Sequence, residues 1–208
     1  MNILLLGATG RVGSELLQRA LDDGHEVVAL VRSQAKLNAA SPHLYTIQGD
    51  VLQSADLERA MRAIPVDSVV SALGTDKNNT LSRVTPSLIS LMDKHAVRRI
   101  ITVGTAGILN SRNDPGLYRF QANESKRKTT TAAEDHLAAY RHVKASDLDW
   151  TIVCPTYLPA GDEYGNYRVR KNWLPEDGQK ITVPDAAAFV YSQIASSEYS
   201  QSRAGIAY

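Results

Sequence analysis

Gly7-Ala8-Thr9-Gly10-Arg11-Val12-Gly13 is the stretch on which the fold of this chain turns. It follows an apolar run at residues 3–6 directly and opens into the helical periodicity of residues 12–21. That context, strand then glycine turn then helix, gives an otherwise weak glycine pattern its meaning. Glycines let such a turn bend sharply and let backbone N–H groups approach a pyrophosphate. The start of the following helix adds a fixed positive charge of roughly half an elementary unit. Gly13, one turn into the helix, lets helix and strand pack closely. The motif therefore predicts a dinucleotide held on the backbone of residues 7–13.

Outward from the turn, short apolar runs alternate with helical periodicity. After the first strand and helix come a strand at residues 26–31, a polar helix, a strand at 44–47, a helix over 52–63 and a strand at 68–72. The pattern resumes with a helix near 80–95, a strand at 99–103, a long helix near 129–146 and a strand at 150–154. Alternation of this kind marks βαβ units, and continuous apolar strands mark a parallel sheet buried on both faces. The expected fold class is α/β: a Rossmann-type doubly wound, mainly parallel sheet flanked by helices, in one domain spanning residues 1–208. Past Pro155 the chain turns to loop and hairpin, ending in Tyr167-Arg168-Val169-Arg170. A short strand at 180–183 is then expected before a helix whose start carries Thr182 and Asp185, spaced like a capping box, with Pro184 in the first turn. Residues 107–128 form one long irregular insertion, and residues 107–128 and 157–175 are the expected substrate-side segments.

Bulk properties narrow the function less. At 208 residues one sizeable core is expected. The 43% hydrophobic content, 22% charged content and mean hydropathy of −0.24 are those of an ordinary globular protein. Lys+Arg 23 against Asp+Glu 22 leaves a formal charge of +1, so no global field directs the chain to nucleic acid or an anionic membrane. The lone Cys154 fits a reducing compartment. Together with an apolar opening that lacks a basic leader and cleavage site, it points to a cytoplasmic address. No metal site is expected, and the chain is taken as a monomer or weak homo-oligomer.

Ligands in open α/β sheets bind beyond the carboxyl ends of the strands, so the strand ends supply the candidate site. At the end of the second strand, where an NAD-binding protein places an acid against the ribose 2′-hydroxyl, stands Arg32, about 20 residues past the glycine turn. With Ser33 and Arg11 it could clamp a 2′-phosphate by charge-assisted hydrogen bonds, which predicts NADP(H); a solvated surface arginine is the plain alternative. After the third strand, Asp50 is suited to the adenine amino group and Val51 to its ring. After the fourth, Ala72, Leu73, Gly74 and Thr75 are small enough to admit ribose and nicotinamide. Past the fifth lies Thr105, and past the sixth lie Pro155, Thr156 and Tyr157. Thr105 and Tyr157 are the candidates on the reacting side.

These residues resemble the atypical short-chain dehydrogenase/reductases with an NAD(P)H-binding, NmrA-like domain, and within them the biliverdin-IXβ reductase/flavin reductase branch. The likeness spans nearly the whole chain. It rests on Gly7-Ala8-Thr9-Gly10, Leu30-Val31-Arg32, Gly49-Asp50-Val51-Leu52-Gln53, Leu73-Gly74-Thr75, Asp135-His136, Leu148-Asp149-Trp150 leading to Pro155, and the closing Asp185 helix. The resemblance implies NADPH binding, with Thr9, Val12 and His136 joining the cofactor-binding set. It also implies hydride delivery to a planar small-molecule acceptor: a flavin such as FMN or FAD, a quinone or a tetrapyrrole. The position matching Tyr157 is a histidine in that branch, so the proton donor departs from its pattern. A flavin needs little help from an acid, because proton uptake from water can follow hydride transfer.

Superfamily members with an acid/base pair carry Tyr-x-x-x-Lys, and Tyr140-Arg141-His142-Val143-Lys144 matches that spelling. At about 1.5 Å per residue, a helix starting near residue 129 puts Tyr140 roughly 15 Å from the crevice. A general acid works within about 3 Å, so Tyr140 is expected to pack rather than to react. The missing pair fits a reductase of planar acceptors and equally an NmrA-like redox sensor that acts through a protein partner. A cavity over the nicotinamide would mark the first and an exposed apolar patch the second. Epimerase or dehydratase chemistry is disfavoured without the pair in register. Two basic clusters, Arg168, Arg170 and Lys171, and Lys126-Arg127-Lys128, could draw a phosphate or propionate group, although Lys and Arg are mostly surface residues in any case.

Overall fold

The computed structural model describes residues 1–76, 78–125 and 129–208. Eight strands form one sheet: β1 (Asn2–Leu6), β2 (Glu26–Val31), β3 (Leu44–Gln48), β4 (Ser68–Ser71), β5 (Arg99–Val103), β6 (Asp149–Pro155), β7 (Arg168–Lys171) and β8 (Ser202–Ala207). Their order across the sheet is β3-β2-β1-β4-β5-β6-β8-β7. The first six are parallel in the order 3-2-1-4-5-6 that defines the Rossmann fold. β8 extends the sheet parallel to β6, and β7 closes it antiparallel to β8.

Five helices cover the sheet: α1 (Arg11–Asp22), α2 (Ser54–Met61), α3 (Thr80–Lys94), α4 (Thr131–Lys144) and α5 (Val183–Ser192). Alternation along each strand divides the core in two. Leu4, Leu6, Val28, Leu30, Val69 and Ile100 pack with Leu57, Leu88 and Leu137 from α2, α3 and α4. Ile3, Leu5, Val27, Val70 and Ile101 pack with Leu16 and Leu17 of α1 and Ala186, Phe189 and Val190 of α5. Both faces of the central strands are therefore out of water, which is why they read as unbroken apolar runs. Asp135, buried on α4, accepts from the backbone N–H of Leu81 and Ser82 at 3.2 and 2.9 Å. It caps α3 from the neighbouring helix, so the two helices are fixed to each other end to flank.

Several elements differ from expectation. The polar helix after β2 is only a short 3-10 turn, Gln34–Lys36, because this segment has no apolar stripe to bury. The strand expected at 180–183 reduces to a single bridge between Tyr157 and Lys180, after which α5 begins at Val183. Thr182 does cap α5, accepting from the Asp185 N–H at 3.4 Å. Asp185 does not complete a capping box, because its carboxylate takes other partners. It accepts from the N–H of Gly165 at 2.9 Å and of Tyr164 at 3.1 Å, and from the hydroxyls of Thr182 and Tyr208. The insertion is also less irregular than its composition implies. It opens with a 3-10 turn, Ala106–Ile108, and folds back through a bridge between Asn110 and Tyr118.

Candidate active site

At the switch point between β1 and β4 the chain reverses its direction of winding, and the glycine turn lies there. Gly7 has φ +84°, and a Cβ on it would stand 2.6 Å from the Ala72 carbonyl oxygen at the end of β4. A Cβ on Gly13 would stand 2.7 Å from the Gly7 carbonyl carbon and closer still to its oxygen. Only glycine fits at either place, so α1 is drawn tightly onto the end of β1. Gly10, in extended conformation, precedes α1 and donates from its N–H to the Gly7 carbonyl at 2.9 Å. No side chain caps α1, so the amides of its first turn face the cleft without a protein carboxylate on them.

A cleft of about 540 Å³ opens along the carboxyl ends of β1, β4, β5 and β6. It brings together Gly10, Arg11 and Val12 from the turn with Ala72, Leu73, Gly74 and Thr75 after β4. Thr105 joins them from β5, Pro155, Thr156 and Tyr157 from β6, and His136 from α4. Gly7, Thr9, Gly13, Arg32, Ser33, Asp50 and Val51 lie outside this lining. Gly7 and Gly13 act underneath it by shaping the turn. Thr9 and Arg32 are exposed. Asp50 is half-buried and accepts from the Leu52 N–H at 2.9 Å in a tight turn after β3, while Val51 packs against the core.

Arg11 is placed differently from the expected clamp. Its guanidinium donates to the Leu158 carbonyl at 2.7 Å, beyond β6. The strand order puts β6 and β2 on opposite sides of β1, so Arg11 reaches over the cleft and away from Arg32. Of the three residues of that expected clamp, Arg32 and Ser33 remain side by side after β2. Lys126, Arg127 and Lys128 lie outside the described residues. Arg168 is spent on the Tyr208 carbonyl and Arg170 on Glu176, while Lys171 sits 5.6 Å over the Tyr199 ring.

The far half of the cleft contains residues that the sequence did not single out: Phe120, Asn123, Ser125, Thr129, Thr130, Ala132 and Ala133. They come from the insertion and from the start of α4. The insertion keeps its shape through Glu124, which accepts from the Ser111 hydroxyl at 2.5 Å and the Arg112 N–H at 2.8 Å and pairs with Arg119 at 2.8 Å. Burial works against the Glu124 charge, but these hydrogen bonds and Arg119 prevail and hold its carboxyl below the usual range. None of the described residues lining the cleft is acidic. Thr105 is half-buried, its hydroxyl accepting from the Gly107 N–H at 3.4 Å. Tyr157 is 69% exposed at the mouth. The Thr156 hydroxyl oxygen is buried and has no hydrogen-bond partner among the described residues.

Tyr140 does not line the cleft. It is 5% exposed and packs edge-on against Trp150 at 5.7 Å between ring centres. Burial pushes its hydroxyl pKa up. Cys154, fully buried under the cleft, has its thiol pushed up to about 12 by the same cause. No group of three or more metal-ligating side chains occurs among the described residues, and none of their helices is long and apolar enough to cross a membrane.

The sheet order, the glycine turn and the cleft at the switch point define a Rossmann-type dinucleotide-binding protein. The family described as NAD(P)H-binding matches residues 7–197, and the chain belongs to it. Among solved structures, a proposed epimerase from Bacteroides thetaiotaomicron is 29% identical, with TM-score 0.86 over 100% of this chain and 96% of that one. An anaerobilin reductase from Escherichia coli O157:H7 is 22% identical, with TM-score 0.80 over 100% and 97%. A short-chain dehydrogenase/reductase from Veillonella parvula, solved with NADP, is 16% identical, with TM-score 0.81 over 100% and 94%. The chain is thus an NAD(P)H-binding protein with a Rossmann-type fold.

Proposed function

We propose that the protein is an NADPH-dependent reductase that passes hydride to a planar conjugated acceptor, a flavin, quinone or tetrapyrrole. One observation carries the reading: a single cleft runs from the glycine turn to Phe120 and Tyr157, with no acidic side chain lining it among the described residues. The residues fit the dinucleotide. The turn has glycine wherever a Cβ would strike backbone, the amides at the start of α1 are uncapped by any side chain, and the Thr156 hydroxyl awaits a partner. Gly10 to Gly13 would hold the pyrophosphate, Arg32 and Ser33 the 2′-phosphate, Asp50 and Val51 the adenine, and Ala72 to Thr75 with Pro155, Thr156 and His136 the nicotinamide end. A bound reduced nicotinamide would supply the hydride. Thr105 would orient the acceptor by a hydrogen bond from its hydroxyl, and Tyr157 would close over it. The similar proteins named for anaerobilin reduction and for an NADP complex support the class of acceptor and cofactor.

The epimerase chemistry attached to one similar structure calls for a Tyr/Lys pair at the cleft, and Tyr140 lies buried against Trp150 instead. The sensor alternative calls for a contiguous apolar surface. Among the described residues the exposed large apolar side chains are Met1, Tyr45, Leu117, Tyr157 and Tyr164, and of these Tyr157 belongs to the cleft. The deciding experiment follows NADPH oxidation with FMN, a simple quinone and biliverdin in turn, NADH serving as control. Turnover with at least one acceptor is expected. Tight NADPH binding without turnover on any of them would replace the reductase by the sensor.

A further inference from the structure

The described residues hold one arginine that is buried, pairs with no carboxylate and has no part in the cofactor site. Arg203 on β8 is 5% exposed. Its guanidinium donates to the Ile108 carbonyl and, at 2.7 Å, to the Asn110 side-chain oxygen. It packs against two aromatic rings, 4.8 Å from the centre of Tyr140 and 5.3 Å from that of Tyr118, the two rings standing edge to face with centres 6.4 Å apart. Its Nε is buried without a partner. Taking an unpaired guanidinium out of water is costly, and a methionine or leucine would fill the space without that cost. Both hydrogen bonds of its guanidinium, and the Tyr118 ring, lie in one part of the molecule. Ile108 ends the 3-10 turn that Thr105 caps, and Gly107 inside that turn lines the cleft. Asn110 and Tyr118 form the bridge that folds the insertion back, and Phe120 hangs from the same turn by its N–H on the Gly107 carbonyl at 3.0 Å. A second strap runs beside the first: Asn172 accepts from the Asn110 N–H at 2.9 Å and from the Arg203 N–H at 3.2 Å. Among the described residues no hydrogen bond joins the glycine turn to this network.

We infer that Arg203 is the positioning residue of the acceptor wall: through its planar fork on Ile108 and Asn110 it fixes the turn that carries Thr105, Gly107 and Phe120 at the cleft. The role rests on the reductase reading for its consequence in turnover, and on geometry alone for its consequence in order. A fork with two fixed donors holds two acceptors at a set spacing, which a lysine cannot do. The two tyrosine rings, set at right angles to each other, add cation–π contacts on adjacent sides of the guanidinium.

The test compares the wild type with Arg203→Met, Arg203→Lys and Arg203→Gly. Amide hydrogen exchange is expected to rise at least tenfold over residues 105–122 in Arg203→Met, with residues 2–22 unchanged, and NADPH affinity should stay within about twofold. With a working acceptor, kcat should fall tenfold or more, with a smaller change in the KM for NADPH. Low-millimolar guanidinium should restore Arg203→Gly along a saturating curve, which a general loss of stability would not show. Arg203→Lys keeps the charge but not the planar fork and should recover only part of kcat. Exchange unchanged at 105–122, exchange raised equally in both regions, or a lysine variant equal to wild type would each overturn the inference. Failure of the wild type to oxidise NADPH with any acceptor would overturn the reductase reading instead and leave the exchange result to decide the wall.

Discussion

Replacing Gly13 with alanine puts the packing of the phosphate turn to the test. The new Cβ would sit 2.7 Å from the Gly7 carbonyl carbon and 3.1 Å from Ala8 Cα, well inside the 3.4 Å at which ordinary contact begins. Both obstacles are backbone, so no side chain can swing aside and α1 must move off β1. Overpacking of a tight core costs about 1–3 kcal/mol, and a backbone obstacle puts this case at the upper end. For a chain of this length, about 3 kcal/mol corresponds to a fall in Tm of roughly 6–12 °C. The amides that face the cleft move with the helix. Losing one hydrogen bond to a charged group, about 1.5–3 kcal/mol, weakens NADPH binding by about tenfold or more. Thermal unfolding by circular dichroism and NADPH titration by nicotinamide fluorescence read the two effects. Gly74→Ala, whose Cβ would meet nothing within 4 Å, controls for stability. A Gly13→Ala protein with Tm and NADPH affinity both at wild-type values would refute the turn geometry and the function built on it.

Further outcomes follow from single groups. Arg32→Asp should lower the NADPH-to-NADH affinity ratio by about 10- to 100-fold, the worth of one or two charge-assisted hydrogen bonds; an unchanged ratio removes Arg32 from the 2′-phosphate site. Tyr140→Phe should keep kcat within about twofold, since the ring packs and the hydroxyl does not react; a loss of a hundredfold or more would restore Tyr140 as the acid. Burial opposes the Asp185 charge, but the Tyr208 hydroxyl, the Gly165 and Tyr164 N–H groups and the Thr182 hydroxyl outweigh it, so its carboxyl titrates below the ordinary 3.8. Its stabilisation is therefore complete above that value and disappears as pH drops through the folded value. Urea midpoints should fall more steeply below about pH 4 in the wild type than in Asp185→Asn, and parallel curves would contradict this. Cys154, with its thiol raised to about 12 by burial, should react with a thiol reagent at neutral pH only after unfolding.

The six parallel strands and the glycine turn could be read from the chain because their signals are local. Continuous apolar runs and a glycine pattern between a strand and a helix need no distant partner to be recognised. β8 was not legible for the opposite reason. Ser202-Arg203-Ala204-Gly205-Ile206-Ala207 carries one branched aliphatic residue, and its strand state comes from pairing with β6 on one side and β7 on the other. Gly205 is part of that arrangement, since a Cβ there would stand 2.8 Å from the Trp173 carbonyl carbon. The polar segment after β2 shows the reverse error, where helical spelling without an apolar face gave only a short turn. The near half of the cleft was legible because strand ends follow from strands. Of the far half only the segment, residues 107–128, was legible; that Phe120 and Asn123 are its members at the cleft was not, because the insertion is shaped by Glu124 reaching back to Ser111 and Arg112 and by Arg203 from 93 residues beyond Asn110, partners that no local pattern announces. The direction of Arg11 belongs to the same class, being set by a carbonyl beyond β6.

Backbone amide shifts recorded while NADPH is titrated into isotopically labelled protein bear most directly on where the dinucleotide sits. The largest changes should fall on Gly10, Arg11, Val12 and Gly13, with a second set at Arg32 and Ser33 that NADH fails to produce. Shifts centred elsewhere, or none at about 1 mM of either dinucleotide, a level at which even an affinity of about −4 kcal/mol would register, would contradict the assignment of this cleft.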